Sequence, residues 1–240
     1  MQKSVLDRKP LETNTPDSRR GREAVRAGTV MNGLSLEDGR KIVETARQAI
    51  LGHLEGRDFK PKSNTSSDLS LPRGVFVTLL DERTSKALRG CIGNPFPKAS
   101  LLVETARCAV EAATMDARFD PVSPNEFQER TVLEVTILSP LEHVVVRSPL
   151  DLPLNIEVGR DGLLVEGVGT RGLLLPQVAV DEGFDEEEFL NQCCMKAGLT
   201  PDAWITRAVK VARFQGQIFS EERPGGQVFE RKLRGKGRKG

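Results

Sequence analysis

The sequence predicts an α+β fold, with a mostly antiparallel sheet flanked by helices. Three observations carry this expectation. Strand-length runs of β-branched and apolar residues return on each other through short polar turns. Separate segments place apolar residues three and four apart, the period of a half-buried helix. Capping patterns mark where those helices begin.

The elements follow in order. Ser35 is a good N-cap, and Leu36, Ile42, Val43, Ala46, Ile50 and Leu54 fall on one helical face. Residues 59–72 are polar and long for a connection, which reads as a loop or flap. Residues 74–80 are apolar on both faces, as in a central strand, and 87–93 return after the turn Asp81 to Lys86 as its partner. Asn94-Pro95-Phe96-Pro97 then blocks further pairing, because proline cannot donate to a ladder. An alanine-striped helix over 100–115 suits close packing on a sheet.

Ser123-Pro124-Asn125-Glu126 fits a capping box with proline at the first helical position. A strand over 131–138 has its apolar face on Leu133, Val135 and Ile137. Glycines predict hairpin turns at 159–162 and 167–172. Asp185 with Glu188 opens a helix that stops at Gly198, and a last strand covers 209–219. Residues 1–33 and 223–240 lack an apolar period. They read as a mobile N-terminal extension and a disordered basic tail around a folded body at 34–222.

Composition narrows the function classes. With 38% hydrophobic residues the chain can build a core, yet no apolar stretch is long enough for a membrane helix and no secretory signal is visible, so the expected compartment is the cytoplasm. Residues 1–33 hold seven Lys/Arg against four Asp/Glu and 223–240 hold seven against one, which leaves the body net acidic. An acidic body with ten Phe, one Trp and no Tyr argues against nucleic-acid binding, except through the tail. Four cysteines are too sparse for a disulfide scaffold, and with His53 and His143 they form no zinc spacing. The glycines at 159–172 lie between strands and form no dinucleotide loop, so no metal or cofactor is expected.

Five ordered motifs then resemble one family. They are Gly74-Val75-Phe76-Val77-Thr78-Leu79 with Leu88-Arg89-Gly90-Cys91-Ile92-Gly93, Ala112-Ala113 with Asp116 and Arg118-Phe119, residues 134–142, residues 172–179, and Cys194-Met195-Lys196-Ala197-Gly198-Leu199. Together they resemble the AMMECR-type domain family, here an archaeal member, over residues 35–222. Phe184 departs from the tryptophan of the family pattern. The resemblance implies an antiparallel sheet flanked by helices with a smaller second subdomain, and the Arg-Gly-Cys segment near the groove between them. It also implies Memo-type or radical-SAM-type protein partners. It implies no reaction and leaves the oligomeric state open.

The Leu88–Gly93 segment is the candidate site. Gly90 and Gly93 permit a bulge or close approach of another backbone. If 87–93 is evenly extended, Arg89 and Cys91 share a face, and the guanidinium would favour the thiolate. Cys91 is then a candidate catalytic nucleophile, a passive pocket wall, or core packing. Arg89, Asn94, Asp116, Arg118 and Gln177 are candidate binding residues, with a helix-end salt bridge as the structural alternative for Asp116 and Arg118. No base is evident beside Cys91; His143 and His53 read as surface histidines, and Cys108, Cys193 and Cys194 as core. The expectation is an enzyme, or part of one, acting on a small anionic or nucleotide-like ligand. The alternatives are a non-catalytic binding or scaffold protein and, more weakly, an RNA-associated one.

Overall fold

Helix α1 (Leu36–Leu54) starts as expected. Ser35 Oγ accepts from the Asp38 N–H, and the Asp38 carboxylate accepts from the Ser35 N–H. Its buried face includes Ile42, Val43, Ala46 and Ile50. The computed structural model describes residues 33–61, 67–206 and 209–233. The N-terminal extension (apart from Gly33), part of the expected flap and positions 234–240 of the basic tail thus lie outside the described residues. The rest of the flap is not pure loop, since a short helix α2 (Ser67–Ser70) buries Leu69 in the core.

Strands β1 (Val75–Asp81) and β2 (Ala87–Asn94) form the expected hairpin, with β3 (Thr131–Leu138) on the other side of β1. Helix α3 (Leu101–Thr114) packs on this sheet beside α1, and α4 (Pro124–Arg130) leads into β3 from its Ser123 cap. The remaining strands are β4 (Glu142–His143), β5 (Asp161–Glu166), β6 (Arg171–Leu174), β7 (Lys210–Glu221) and β8 (Val228–Arg231). They continue one sheet in the order β2-β1-β3-β7-β5-β6, with β4 and β8 also on β7, and every pairing is antiparallel. Helices α5 (Pro176–Asp181) and α6 (Glu186–Lys196) follow β6. This is the α+β class that the sequence predicts.

Two expectations fail. The glycines at 159–162 do not turn a hairpin, because short 3-10 turns at Pro149–Asp151 and Pro153–Asn155 stand where the preceding strand would be. Gly162 sits inside β5, where the Phe214 ring occupies the space a side chain would need. The basic tail is not all irregular either. Residues 228–231 pair with β7, and the charge that suggested disorder includes Arg231, which lies half-buried against Glu134 and Asp181.

Among the described residues, buried apolar side chains collect in three clusters. The largest lies between α1, α3 and the sheet around Leu79, Leu133, Phe127 and Phe219. A second joins α6 to β5 and the start of β7 around Leu163, Phe189 and Trp204, and a small one at Leu138, Leu175 and Phe214 lies on the middle of β7. Each fully buried Leu, Ile or Phe is worth roughly 1.5–3 kcal/mol over leaving it exposed.

The alanine stripe of α3 does what its spacing suggests. A Cβ at Gly90 would stand 2.3 Å from the Ala112 carbonyl oxygen, so β2 and α3 meet backbone to backbone. Gly90→Ala must therefore push helix from strand. The expected cost is about 1–3 kcal/mol, the usual penalty for overpacking, read as a lower urea midpoint with an unchanged slope.

Candidate functional site

Strand β2 is at the sheet edge, so one row of its backbone groups has no neighbouring strand. At Cys91 an ion pair takes that place. The Cys91 N–H donates to Asp116 Oδ2 at 2.8 Å, and the Arg118 guanidinium donates to the Cys91 carbonyl at 3.4 Å. Asp116 and Arg118 are paired with each other at 2.6 Å. The salt bridge weighed as their structural alternative is thus present, and it meets the backbone of Cys91.

Arg89 points elsewhere. The β1–β2 register shifts so that Leu79 opposes Gly90 while Leu80 opposes Leu88, which leaves Arg89 as the extra residue of a bulge. Its guanidinium forks onto Glu126 of α4, at 2.6 Å and 3.2 Å, with the Phe119 ring beneath it. An even alternation is what would have put Arg89 beside the thiol, and the bulge breaks it.

Cys91 instead meets Thr78, its cross-strand partner, whose hydroxyl donates to Sγ at 3.3 Å. Burial pushes the thiol above its ordinary value. The Thr78 hydrogen bond and the charges of Arg118 and Lys196 oppose that rise only in part, and Asp116 adds to it. The expectation that Arg89 lowers this pKa is overturned. Cys108 and Cys193, both in the core, are pushed to about 12 by burial.

Gly93 and Asn94 serve the local fold. The Phe76 ring lies where a Gly93 side chain would be. Asn94 Nδ2 donates to Glu104 at 2.8 Å while its Oδ1 accepts from the Phe96 N–H, ending the strand in a turn. Gln177 belongs to a buried polar row on the same sheet. Thr78 is the cross-strand partner of both Cys91 and Glu134, and Gln177 Nε2 donates to Thr136 at 2.8 Å and Glu134 at 3.3 Å. Arg231 closes the row by bridging Glu134 at 3.0 Å and Asp181 at 2.7 Å. Gln177 Oε1 is buried without a hydrogen-bond partner.

Two cations from β6 and α6 also come near the end of β2 and Cys91. The Arg171 guanidinium covers the Phe96 ring at 5.5 Å and pairs with Glu166. Lys196, the last residue of α6, is exposed and close enough for its charge to act on the thiol. The structure thus brings together Cys91, Asp116 and Arg118, connects Gln177 to them through Thr78 and Glu134, and assigns Arg89 and Asn94 to neighbouring helices. Sequence reasoning missed Thr78, Lys196 and Arg231. Thr78 had a signal, as a lone hydroxyl in an apolar strand, and Lys196 stood in one of the five motifs without being read as a site residue. Among the described residues no group of three or more His, Cys, Asp or Glu could hold a metal, and no helix could cross a membrane.

These features define an α+β domain whose edge strand carries a thiol clamped by an ion pair. The pattern of the AMMECR1 family matches residues 43–219, and the chain belongs to that family. A protein of Thermofilum pendens is 49% identical over 211 residues, covering 85% of this chain and 99% of its own. Protein MJ0810 of Methanocaldococcus jannaschii is 44% identical, covering 85% and 100%. The crystal structure of the uncharacterized protein PH0010 from Pyrococcus horikoshii superposes with a TM-score of 0.79 at 44% identity, covering 82% and 98%.

Two predictions follow from the clamp. Hydrogen bonds from Arg118 hold the Asp116 carboxyl well below the usual carboxylate range, against the opposing effect of burial. A depressed folded pKa stabilises fully above the unfolded value near 3.8 and is lost as pH falls further. Asp116→Asn should lower stability at pH 7 by about 1–3 kcal/mol and flatten the loss on acidification, measured by urea melts at pH 7 and pH 3. For Cys91, iodoacetamide labelling read by peptide mass spectrometry should be slower at neutral pH than for a free thiol, rising only above pH 9.0. A labelling midpoint below that value would restore the nucleophile reading.

Proposed function

We propose that the protein binds a small anionic ligand between Cys91 and Lys196, with Cys91 lining the groove as a neutral thiol. The carrying observation is that Lys196 has no ion-pair partner among the described residues, whereas Arg89, Arg118 and Arg171 each have a carboxylate. A lysine in the last turn of a helix also suits the helix dipole, so stability alone does not test the reading. The thiol, the Thr78 hydroxyl and the backbone clamp supply orientation, and the carboxylate beside Cys91, Asp116, is already engaged by Arg118 and the Cys91 N–H. Binding without covalent chemistry fits this better than nucleophilic catalysis.

Calorimetry of the full chain with inorganic phosphate and with ADP at low salt tests it. The expected result is saturable binding of at least one probe, weakened about threefold to fivefold by Lys196→Met and retained by Cys91→Ser. Failure of both probes to bind, or indifference to Lys196→Met, would overturn the anion site.

A further inference from the structure

A concavity that Cys91 does not line lies where β4 and the start of β7 meet the 3-10 turn at Pro201–Trp204. It encloses about 400 Å³, within the ~300–1,000 Å³ of small-ligand sites. Its wall is apolar, with Val144, Val146, Leu152, Trp204 and Val211, and the charged or titratable lining groups among the described residues are His143 and Lys210. Exposed apolar side chains surround this stretch of chain: Val145 is 90% exposed, Leu150 64% and Leu154 72%. Isolated exposed apolar residues are ordinary, but three of them next to an apolar cavity mark a binding surface.

The chemistry of the occupant follows from the charges. Lys210 makes no ion pair among the described residues. Glu166, its cross-strand partner, is bound to Arg171, and Glu142 faces Arg213. The imidazole of His143 likewise makes no hydrogen bond among them. Among the described residues, one lining ammonium without an ion pair, beside an apolar wall, suits a single negative charge attached to a hydrocarbon. A phosphate dianion would find one such cation among the described lining residues. We propose that this cavity binds a small monocarboxylic acid, with its chain on Leu152, Trp204 and Val211 and its carboxylate beside Lys210. This site is independent of the groove at Cys91.

The molecule carries its own reporter. Trp204 is the one tryptophan and the chain has no tyrosine, so indole emission reports on this wall alone. The indole N–H is already bound to Asn191 Oδ1 at 2.8 Å, so it is anchored while its ring lines the cavity. Titrating octanoate into the full chain should change Trp204 emission saturably. Lys210→Met, at an exposed position, should weaken octanoate about threefold to fivefold, as for one solvent-screened ion pair, and leave octanol unaffected. Val144→Phe should fill the cavity and abolish both responses.

No saturable change, or an octanoate response indifferent to Lys210→Met, would overturn the proposal. So would sedimentation showing that two copies of the chain cover Val145, Leu150 and Leu154. The patch would then be a dimer interface, and the cavity its seam.

Discussion

Strand β7 pairs over residues 210–215 with β5 and over 216–220 with β3, with β4 and β8 on either half. It is therefore the continuous element between the two parts of the sheet, and its side chains are divided accordingly. Val211 enters the cluster under α6, Phe214 the small central one, and Phe219 the large core under α1 and α3. The changeover falls at Gly216, where a Cβ would come within 2.9 Å of the Thr136 methyl. Polar groups that meet across this strand depend on its continuity. Glu134 belongs to β3, on one half, and Gln177 to the helix after β6, on the other.

The edge strand β2 divides its work in a similar way. Its bulge turns Arg89 outward to Glu126, while its backbone at Cys91 is held by Asp116 and Arg118. An exposed strand edge invites pairing with another chain. An ion pair that meets one N–H and one C=O closes this edge at a single residue, without adding a strand. The same two charges act oppositely on the thiol, so the clamp fixes its position more than its ionisation.

Much of the fold was legible because local and global preferences agree. The α1 cap, the β1–β2 turn, the Ser123 cap and the Asp185 cap each occur where short-range chemistry asks for them. What failed depended on distant partners. Gly162 is a glycine because of the Phe214 ring, fifty-odd residues away, and not because the chain turns. Residues 228–231 look like a charged tail until β7 offers an edge and Glu134 a buried carboxylate for Arg231. The site divided along the same line. Asp116 and Arg118 were found by closeness to the motif, but Arg89 was misread because a one-residue bulge reverses every face after it. Lys196 stood in a recognised motif, but that its charge reaches Cys91 follows only from tertiary packing.

The row Cys91–Thr78–Glu134 argues for what kind of site this is. Buried polar groups on a sheet cost stability unless each finds a partner. Glu134 has two, Arg231 and Gln177, and Thr78 donates to the sulfur. A thiol that accepts a hydrogen bond and is kept neutral by burial is a polarizable, uncharged surface. On the binding proposal, such a surface would tolerate a ligand's bulk, while the charge of Lys196, which makes no ion pair among the described residues, would select its sign. The nearest charged pair, Asp116 and Arg118, is committed to the Cys91 backbone and to each other.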